Sequence, residues 1–202
     1  LDMFSGLTSE SSDPARRAEA FRLNVLRMQD NLSAIENCRK PVLAAIHKTC
    51  IGGGVDLTCC CDMRYASQDA YFSIREIDIG MTADVGTLQR LPKIIPDGVA
   101  RELAYTGRNL SAEEAREVGL VNRVFEDRDT MLTEVQSIAR TIASKSPISV
   151  RGTKEMILYT RDHSVRDGLN YIATWNAGMM SQQDLMEGLT AQAQKKAANF
   201  EN

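Results

Sequence analysis

Histidine and long apolar runs are the scarcest features of this sequence, and each scarcity removes a class of function. The 202 residues include two histidines, His47 and His163. They lie far apart, and no Ser or Cys stands in a nucleophile elbow near either, so a hydrolytic triad is not expected. No stretch reaches the roughly 18 apolar residues that a membrane-crossing helix needs. Nor does a charged-plus-apolar segment open the chain as a secretory signal would. It begins Leu1-Asp2-Met3-Phe4, neither an initiator Met nor an obvious domain start, and reads as incomplete there. A surplus of one charge sign is missing too. The 24 basic and 27 acidic side chains give a net charge of −3 and interleave along the chain, which argues against a dedicated nucleic-acid or anionic-membrane surface. Neither the P-loop spacing nor the GxGxxG fingerprint occurs. Internal repeats and low-complexity tracts are absent as well.

Five cysteines are present, Cys38, Cys50, Cys59, Cys60 and Cys61. Three are consecutive in an apolar, helix-like segment, where neighbouring residues point in different directions and make poor metal ligands. They read as reduced packing residues of a reducing compartment, and no metal site is expected. With 43% apolar and 25% charged residues, the composition is that of an ordinary globular protein. The length suits one medium domain, or a core with a small appendage, and buries enough surface to need no staple.

A turn-rich segment from Ser5 to Pro14 precedes an amphipathic helix whose stripe is Phe21, Val25, Met28, Leu32 and Ile35, with Pro41 ending it. Val42–Ile46 reads as a buried strand. Gly52-Gly53-Gly54 follows and opens a helical run through Cys61. Met63–Ala66 and Tyr71–Ile74 read as strands, and Asp84–Leu91 as a helix with Asp84 as its N-cap. Val99–Thr106 is a helix stopped by Gly107, and Ser111 with Glu114 forms a capping box. Val121–Phe125 is a short strand, and Thr130–Ser144 a helix with Leu132, Val135, Ile138, Ala139 and Ile142 on one face. Helices alone fill the remainder, with Val165, Leu169, Ile172 and Asn176 sharing a face and Trp175, Met179 and Met180 filling a helix interface. The layout is an α/β core over residues 1–145 and a helical annex over 146–202.

The segment Cys50–Asp56 carries the first chemical signal. A glycine run between a strand and a helix lets a ligand approach the backbone, and a helix N-terminus turns unpaired N–H groups toward negative charge. An oxyanion hole needs only such groups, although a plain tight turn has the same sequence. Three acidic residues fall around it. Asp56 lies in the first turn of an apolar helix, Glu76 follows a strand end, and Asp84 sits in the mostly uncharged Ile79–Gly86. Taken singly, Asp56 and Asp84 read equally well as helix caps, and Glu76 as a surface partner of Arg75. Clustered at one turn, enclosed carboxylates with raised pKa values make good proton carriers.

Ala44–His47, Ile51–Leu57 and Cys61–Tyr65 together resemble the crotonase (enoyl-CoA hydratase/isomerase) superfamily. Glu76–Gly80, Ala83–Pro92, Arg161–Val165 and Leu169–Tyr171 resemble its Δ(3,5)-Δ(2,4)-dienoyl-CoA isomerases. The resemblance implies a crotonase-type spiral of β-β-α turns with a helical C-terminal region that assembles homotrimers, often paired into hexamers. It implies an acyl-CoA substrate, with coenzyme A part of that substrate and no separate cofactor. It also implies roles: the Gly53 N–H as an oxyanion donor, Glu76 as the acid/base at the α-carbon, Asp84 at the far end of the diene, and Asp56 in support. The implied reaction converts a 3,5-dienoyl-CoA to a 2,4-dienoyl-CoA in fatty-acid β-oxidation, by moving a proton from C2 to C6. The family's Phe-x-Ala-Gly turn, source of a second oxyanion donor, would lie ahead of Leu1. His47-Lys48-Thr49 replaces a smaller, usually Gly-containing turn, and Lys48 is either benign there or alters CoA binding. Enoyl-CoA hydratase is the nearest alternative, against which stand Asp56, where hydratases carry Glu, and Asp84, where they lack an acid. An RNA-binding or scaffold oligomer of the same fold is the other, disfavoured by the acidic balance. The cytoplasm is the expected compartment, with the mitochondrial matrix or peroxisome as eukaryotic alternatives.

Overall fold

A computed structural model describes residues 12–201, so most of the expected turn-rich segment from Ser5 to Pro14 lies outside the described residues. Contacts divide the chain into two units: residues up to Asn37 with Val42–Met131, and Cys38–Pro41 with Leu132 onward.

The first unit opens with α1 (Pro14–Glu36). The Asp13 carboxylate caps it, accepting from the N–H groups of Ala15 and Arg16 at 2.8 and 3.1 Å. Pro14 stands where the helix needs no amide donor. The helix ends at Glu36, well before Pro41, so the proline is not what stops it. Its apolar stripe is only partly covered. No α1 residue is fully buried, and Phe21 is 45% exposed, although Ile35 packs on the core.

The chain then winds through β1 (Leu43–Ile46), β2 (Thr49–Ile51) and α2 (Gly53–Cys59). A second circuit runs through β3 (Met63–Ser67), β4 (Tyr71–Ser73), a 3-10 turn (Glu76–Ile79), α3 (Thr87–Arg90), another 3-10 turn (Leu91–Lys93) and α4 (Asp97–Thr106). A third holds β5 (Leu110–Ser111), α5 (Ala112–Glu117) and β6 (Arg123–Phe125). Every circuit lays one strand in each of two sheets, ordered β1-β3-β6 and β2-β4-β5. The first sheet is parallel, with Leu43 beside Met63 and Tyr65 beside Arg123. In the second, Cys50 lies beside Phe72 in parallel, and Phe72 faces Leu110 on antiparallel β5. This is the spiral that the resemblance implied. Arg64 to Ser67 of β3 are all buried, which is why the parallel strands show no polar alternation.

Phe72, Leu91, Leu110 and Leu120 are fully buried and anchor the core. Arg64 is buried with them, and its guanidinium donates to the carbonyls of Leu120, Cys61 and Thr58 at 2.7, 2.6 and 3.3 Å. A buried cation is tolerated where every donor finds an acceptor. Four of the five cysteines are buried, and Cys38 is exposed. Burial pushes the thiols of Cys50, Cys59 and Cys60 up to about 11, 12 and 11.

The helix expected from Asp84 begins instead at Thr87, after Gly86, and becomes a 3-10 turn at Leu91. Ser111 caps α5 by accepting from the Glu114 N–H at 3.2 Å, while the Glu114 carboxylate accepts from Arg108 rather than closing the box. The second unit contains α6 beyond its first turn (Arg128–Ala143 in all), α7 (Pro147–Asp162), α8 (Val165–Met179) and α9 (Gln182–Ala193). Ser146, Ser164 and Ser181 cap the last three. Trp175 packs against Gly152, where a Cβ would lie 2.5 Å from its Nε1, so α7 and α8 are in close contact. Met179 and Met180 are 54% and 61% exposed and border an apolar groove of about 800 Å³ rather than filling an interface within the chain. Among the described residues no helix is long and apolar enough to cross a membrane.

Lys48 turns the chain from β1 into β2 with φ 55°, a left-handed conformation. A side chain costs roughly 1–2 kcal/mol there, while glycine adds about 0.5–1 kcal/mol of unfolded-state entropy. Lys48→Gly is therefore expected to stabilise the protein by about 0.5–1 kcal/mol, read as a higher urea midpoint at unchanged m. A lowered midpoint would mean that the lysine side chain contributes more than its backbone costs.

Candidate active site

β2 ends at Ile51 and the chain must turn at once into α2. Gly52 makes that turn with φ 53° and ψ −117°, a conformation closed to residues with a side chain. Its N–H donates to the Ser73 carbonyl at 3.0 Å, tying the turn to the end of β4. A Cβ on Gly52 would stand 3.0 Å from Glu76 Oε1, so this glycine also makes room for the carboxylate. Gly53 follows as the first residue of α2. It is exposed, with nothing within 4 Å of the place a Cβ would take, so no neighbour crowds the backbone at the start of α2.

Asp56 belongs to the first turn of α2 and is 0% exposed. Its Oδ1 accepts two hydrogen bonds from Thr87, one from the backbone N–H and one from the hydroxyl, both at 2.7 Å. Asp56 rather than Asp84 therefore caps α3, from a different helix. Burial raises the Asp56 pKa; the Thr87 bonds oppose that, the charge of Asp84 adds to it, and that of Arg90 opposes it. Glu76 opens the 3-10 turn after β4. Burial raises its pKa as well, its own N–H opposes the shift, and the charges of Asp56 and Asp84 reinforce it. Arg75 does not partner it, turning instead to Ser73 Oγ and Asn109 Oδ1 at 3.2 and 2.9 Å.

Among the described residues three buried side-chain polar atoms have no hydrogen-bond partner, and two of them are Asp56 Oδ2 and Glu76 Oε2. A buried carboxylate oxygen left unpaired favours the protonated form. Asp84 lies partly buried on the segment leading to α3. Its backbone carbonyl accepts from Gln29 Nε2 of α1 at 2.6 Å. α1 reaches α3 too: Arg90 donates to Ser33 Oγ at 3.1 Å and pairs with Glu36 at 3.0 Å, both charged side chains nearly enclosed.

The fold thus draws Asp56, Glu76 and Asp84 within electrostatic reach of one another, beside the turn that holds Gly53. Sequence reasoning gave no role to Thr87, Gln29 or Arg90. A Gly-Thr pair opening a short helix was a usable signal for Thr87. For Gln29 there was none, since its bond depends on tertiary contact alone.

A family model described as enoyl-CoA hydratase/isomerase matches residues 9–202. The mitochondrial Δ(3,5)-Δ(2,4)-dienoyl-CoA isomerase of Homo sapiens is 46% identical over 198 residues, which is 97% of this chain and 60% of that protein. The peroxisomal Δ(3,5)-Δ(2,4)-dienoyl-CoA isomerase of Arabidopsis thaliana is 48% identical over 200 residues, covering 99% of this chain and 72% of that one. The crystal structure of an enoyl-CoA hydratase from Bacillus anthracis superimposes with a TM-score of 0.84 at 33% identity, covering 94% of this chain and 72% of the other. The chain thus spans about 60% of the length of the mitochondrial relatives it matches. With a match over nearly all of its residues and a spiral shared with a solved member, this chain belongs to the enoyl-CoA hydratase/isomerase family.

Proposed function

We propose that this chain is the greater part of a Δ(3,5)-Δ(2,4)-dienoyl-CoA isomerase, which moves a proton from C2 to C6 of a 3,5-dienoyl thioester in fatty-acid β-oxidation. The observation that carries this is the third carboxylate: Asp84 lies partly buried on the segment leading into α3, whose first residue, Thr87, is bonded to Asp56. Proton transfer at two separated carbons calls for two separate carriers, and Asp84 supplies the second.

In this mechanism the thioester oxygen accepts from the Gly53 N–H, which stabilises the enolate oxygen as negative charge develops. Ionised Glu76 takes the C2 proton; the C2–H electron pair spreads along the conjugated chain to C6 as a dienolate. Asp84 delivers a proton to C6, leaving double bonds at C2 and C4. Glu76 finishes protonated and Asp84 ionised, and exchange with solvent resets them. The raised pKa of Glu76 makes it a stronger base than a free carboxylate. Asp56, held by Thr87, stays beside the site as a fixed charge partner rather than a carrier. The reaction requires neither metal nor redox cofactor, coenzyme A being part of the substrate. As for compartment, the names of the relatives place them in mitochondria and a peroxisome, which supports the organellar alternative over the cytoplasm.

Assembly is part of the proposal. Val165, Leu169, Met179, Met186 and Leu189 are all more than half exposed on α8 and α9. Such apolar surface is characteristic of an interface, and we assign it to a homotrimer, alone or paired into a hexamer.

Purified protein carrying the full N-terminal portion is expected to convert 3,5-octadienoyl-CoA to a conjugated 2,4-dienoyl thioester, seen as new ultraviolet absorbance. Loss of absorbance from crotonyl-CoA, without dienoyl product from the other substrate, would replace this reading with hydratase. Asp84→Asn should lower kcat at least about 100-fold. In deuterated water it should still exchange the C2 proton while making hardly any product, whereas Glu76→Gln should lose both. Exchange surviving in Glu76→Gln and vanishing in Asp84→Asn would reverse the two assignments. Light scattering of the folded protein should return three or six times the monomer mass, and a monomer would remove the assembly.

A further inference from the structure

The side of α1 that meets the active-site segment does so with polar groups. Gln29, Ser33 and Glu36 recur at spacings of four and three, so they share one face of the helix. All three reach the segment that carries Asp84 and α3. Gln29 Nε2 donates to the Asp84 carbonyl at 2.6 Å. Ser33 Oγ accepts from Arg90 Nη2 at 3.1 Å, and Glu36 Oε2 accepts from Arg90 Nε and Nη2 at 3.2 and 3.0 Å. The Arg90 and Glu36 side chains are 13% and 12% exposed, enclosed enough that their pairing is little screened by solvent.

These contacts bracket the site. On one side of Gly86 the Gln29 amide holds the backbone of Asp84; on the other, Arg90 is fixed at the end of α3, whose first residue, Thr87, holds Asp56. Gly86 itself has φ 134°, a conformation open to glycine but not to residues with a side chain, so the chain can turn between the two anchors. α1 itself has no fully buried residue.

We propose that this face of α1 is a positioning clamp for proton delivery, with Gln29 setting the place of Asp84 and the Ser33–Arg90–Glu36 network setting α3. Gln29 touches no reacting atom. It acts through a main-chain carbonyl, and its loss lets the Asp84 carboxyl drift from the far end of the diene while Glu76 stays where Gly52 and β4 put it. The consequence is a split between the two half-reactions. The inference rests on Asp84 being the far-end proton donor.

The test is Gln29→Met, which keeps the length of the side chain and removes its donor, with Gln29→Glu as a second variant that turns an acceptor toward the same carbonyl. Thermal unfolding comes first, and both are expected to melt within a few degrees of wild type, as for loss of one partly exposed hydrogen bond. In deuterated water with 3,5-octadienoyl-CoA, both should exchange the C2 proton at close to the wild-type rate. Formation of the 2,4-dienoyl product should fall roughly 10- to 100-fold, the scale of an ångström-sized misplacement. Amide hydrogen exchange of residues 81–86, read by mass spectrometry, should be faster in both, a result independent of activity. Equal losses of exchange and product, or wild-type behaviour in both variants, would overturn the clamp. Asp84→Asn is run beside them: if it turns over normally, the role of Asp84 falls and the clamp falls with it. If it fails as expected while the Gln29 variants do not, the clamp alone is wrong.

Discussion

Everything distinctive about this site hangs on two hydrogen bonds from Thr87 to a single oxygen of Asp56. They join residues 31 apart in sequence. They start α3, and they bring the segment carrying Asp84 back over α2. Bonds to a charged acceptor are worth about 1.5–3 kcal/mol each, while burying an ionised carboxylate costs several kcal/mol even after relaxation. The two terms are close, and burial is the larger, so the carboxyl is held firmly in place yet titrates above its ordinary range. A third donor would have made Asp56 a purely structural anion. With its other oxygen unpaired, it is anchored and still sensitive to the charges of its neighbours.

Three mutually repelling carboxyl groups around one turn also limit how many can be ionised together. Glu76 feels both of the others, and each raises its pKa. Against these charges stands Arg90, paired with Glu36, whose charge lowers the Asp56 pKa.

What could be read in advance followed the range of the interactions. β1, β3 and β4 and the helices ending at Gly107 and beginning at Ser111 were legible because apolar runs, glycine stops and serine caps are local signals. β2 and β5 were missed because three and two residues are too short to show a period, and their pairing is tertiary. Asp84 was misread as a cap by a rule that looks only at neighbours; the true cap arrives from α2. The stripe of α1 was real but half-covered, since its polar residues, not its apolar ones, meet the catalytic segment. Asp56, Glu76 and Asp84 were singled out from glycine context and resemblance. Of the groups that hold them, Thr87 left only the Gly-Thr pair as a local sign, and Gln29 left none, because its bond to the Asp84 carbonyl is purely tertiary.

The buried cysteines carry a practical consequence. A thiol with a pKa near 11 is ionised only to roughly one part in ten thousand at neutral pH, and the thiolate is the form that reacts. Cys50, Cys59 and Cys60 are therefore shielded twice from oxidants and alkylating reagents, once by packing and once by chemistry. Cys38, exposed just beyond the end of α1, is not shielded by packing. A maleimide dye added to the native protein would consequently mark that one place, just after α1, without disturbing the core.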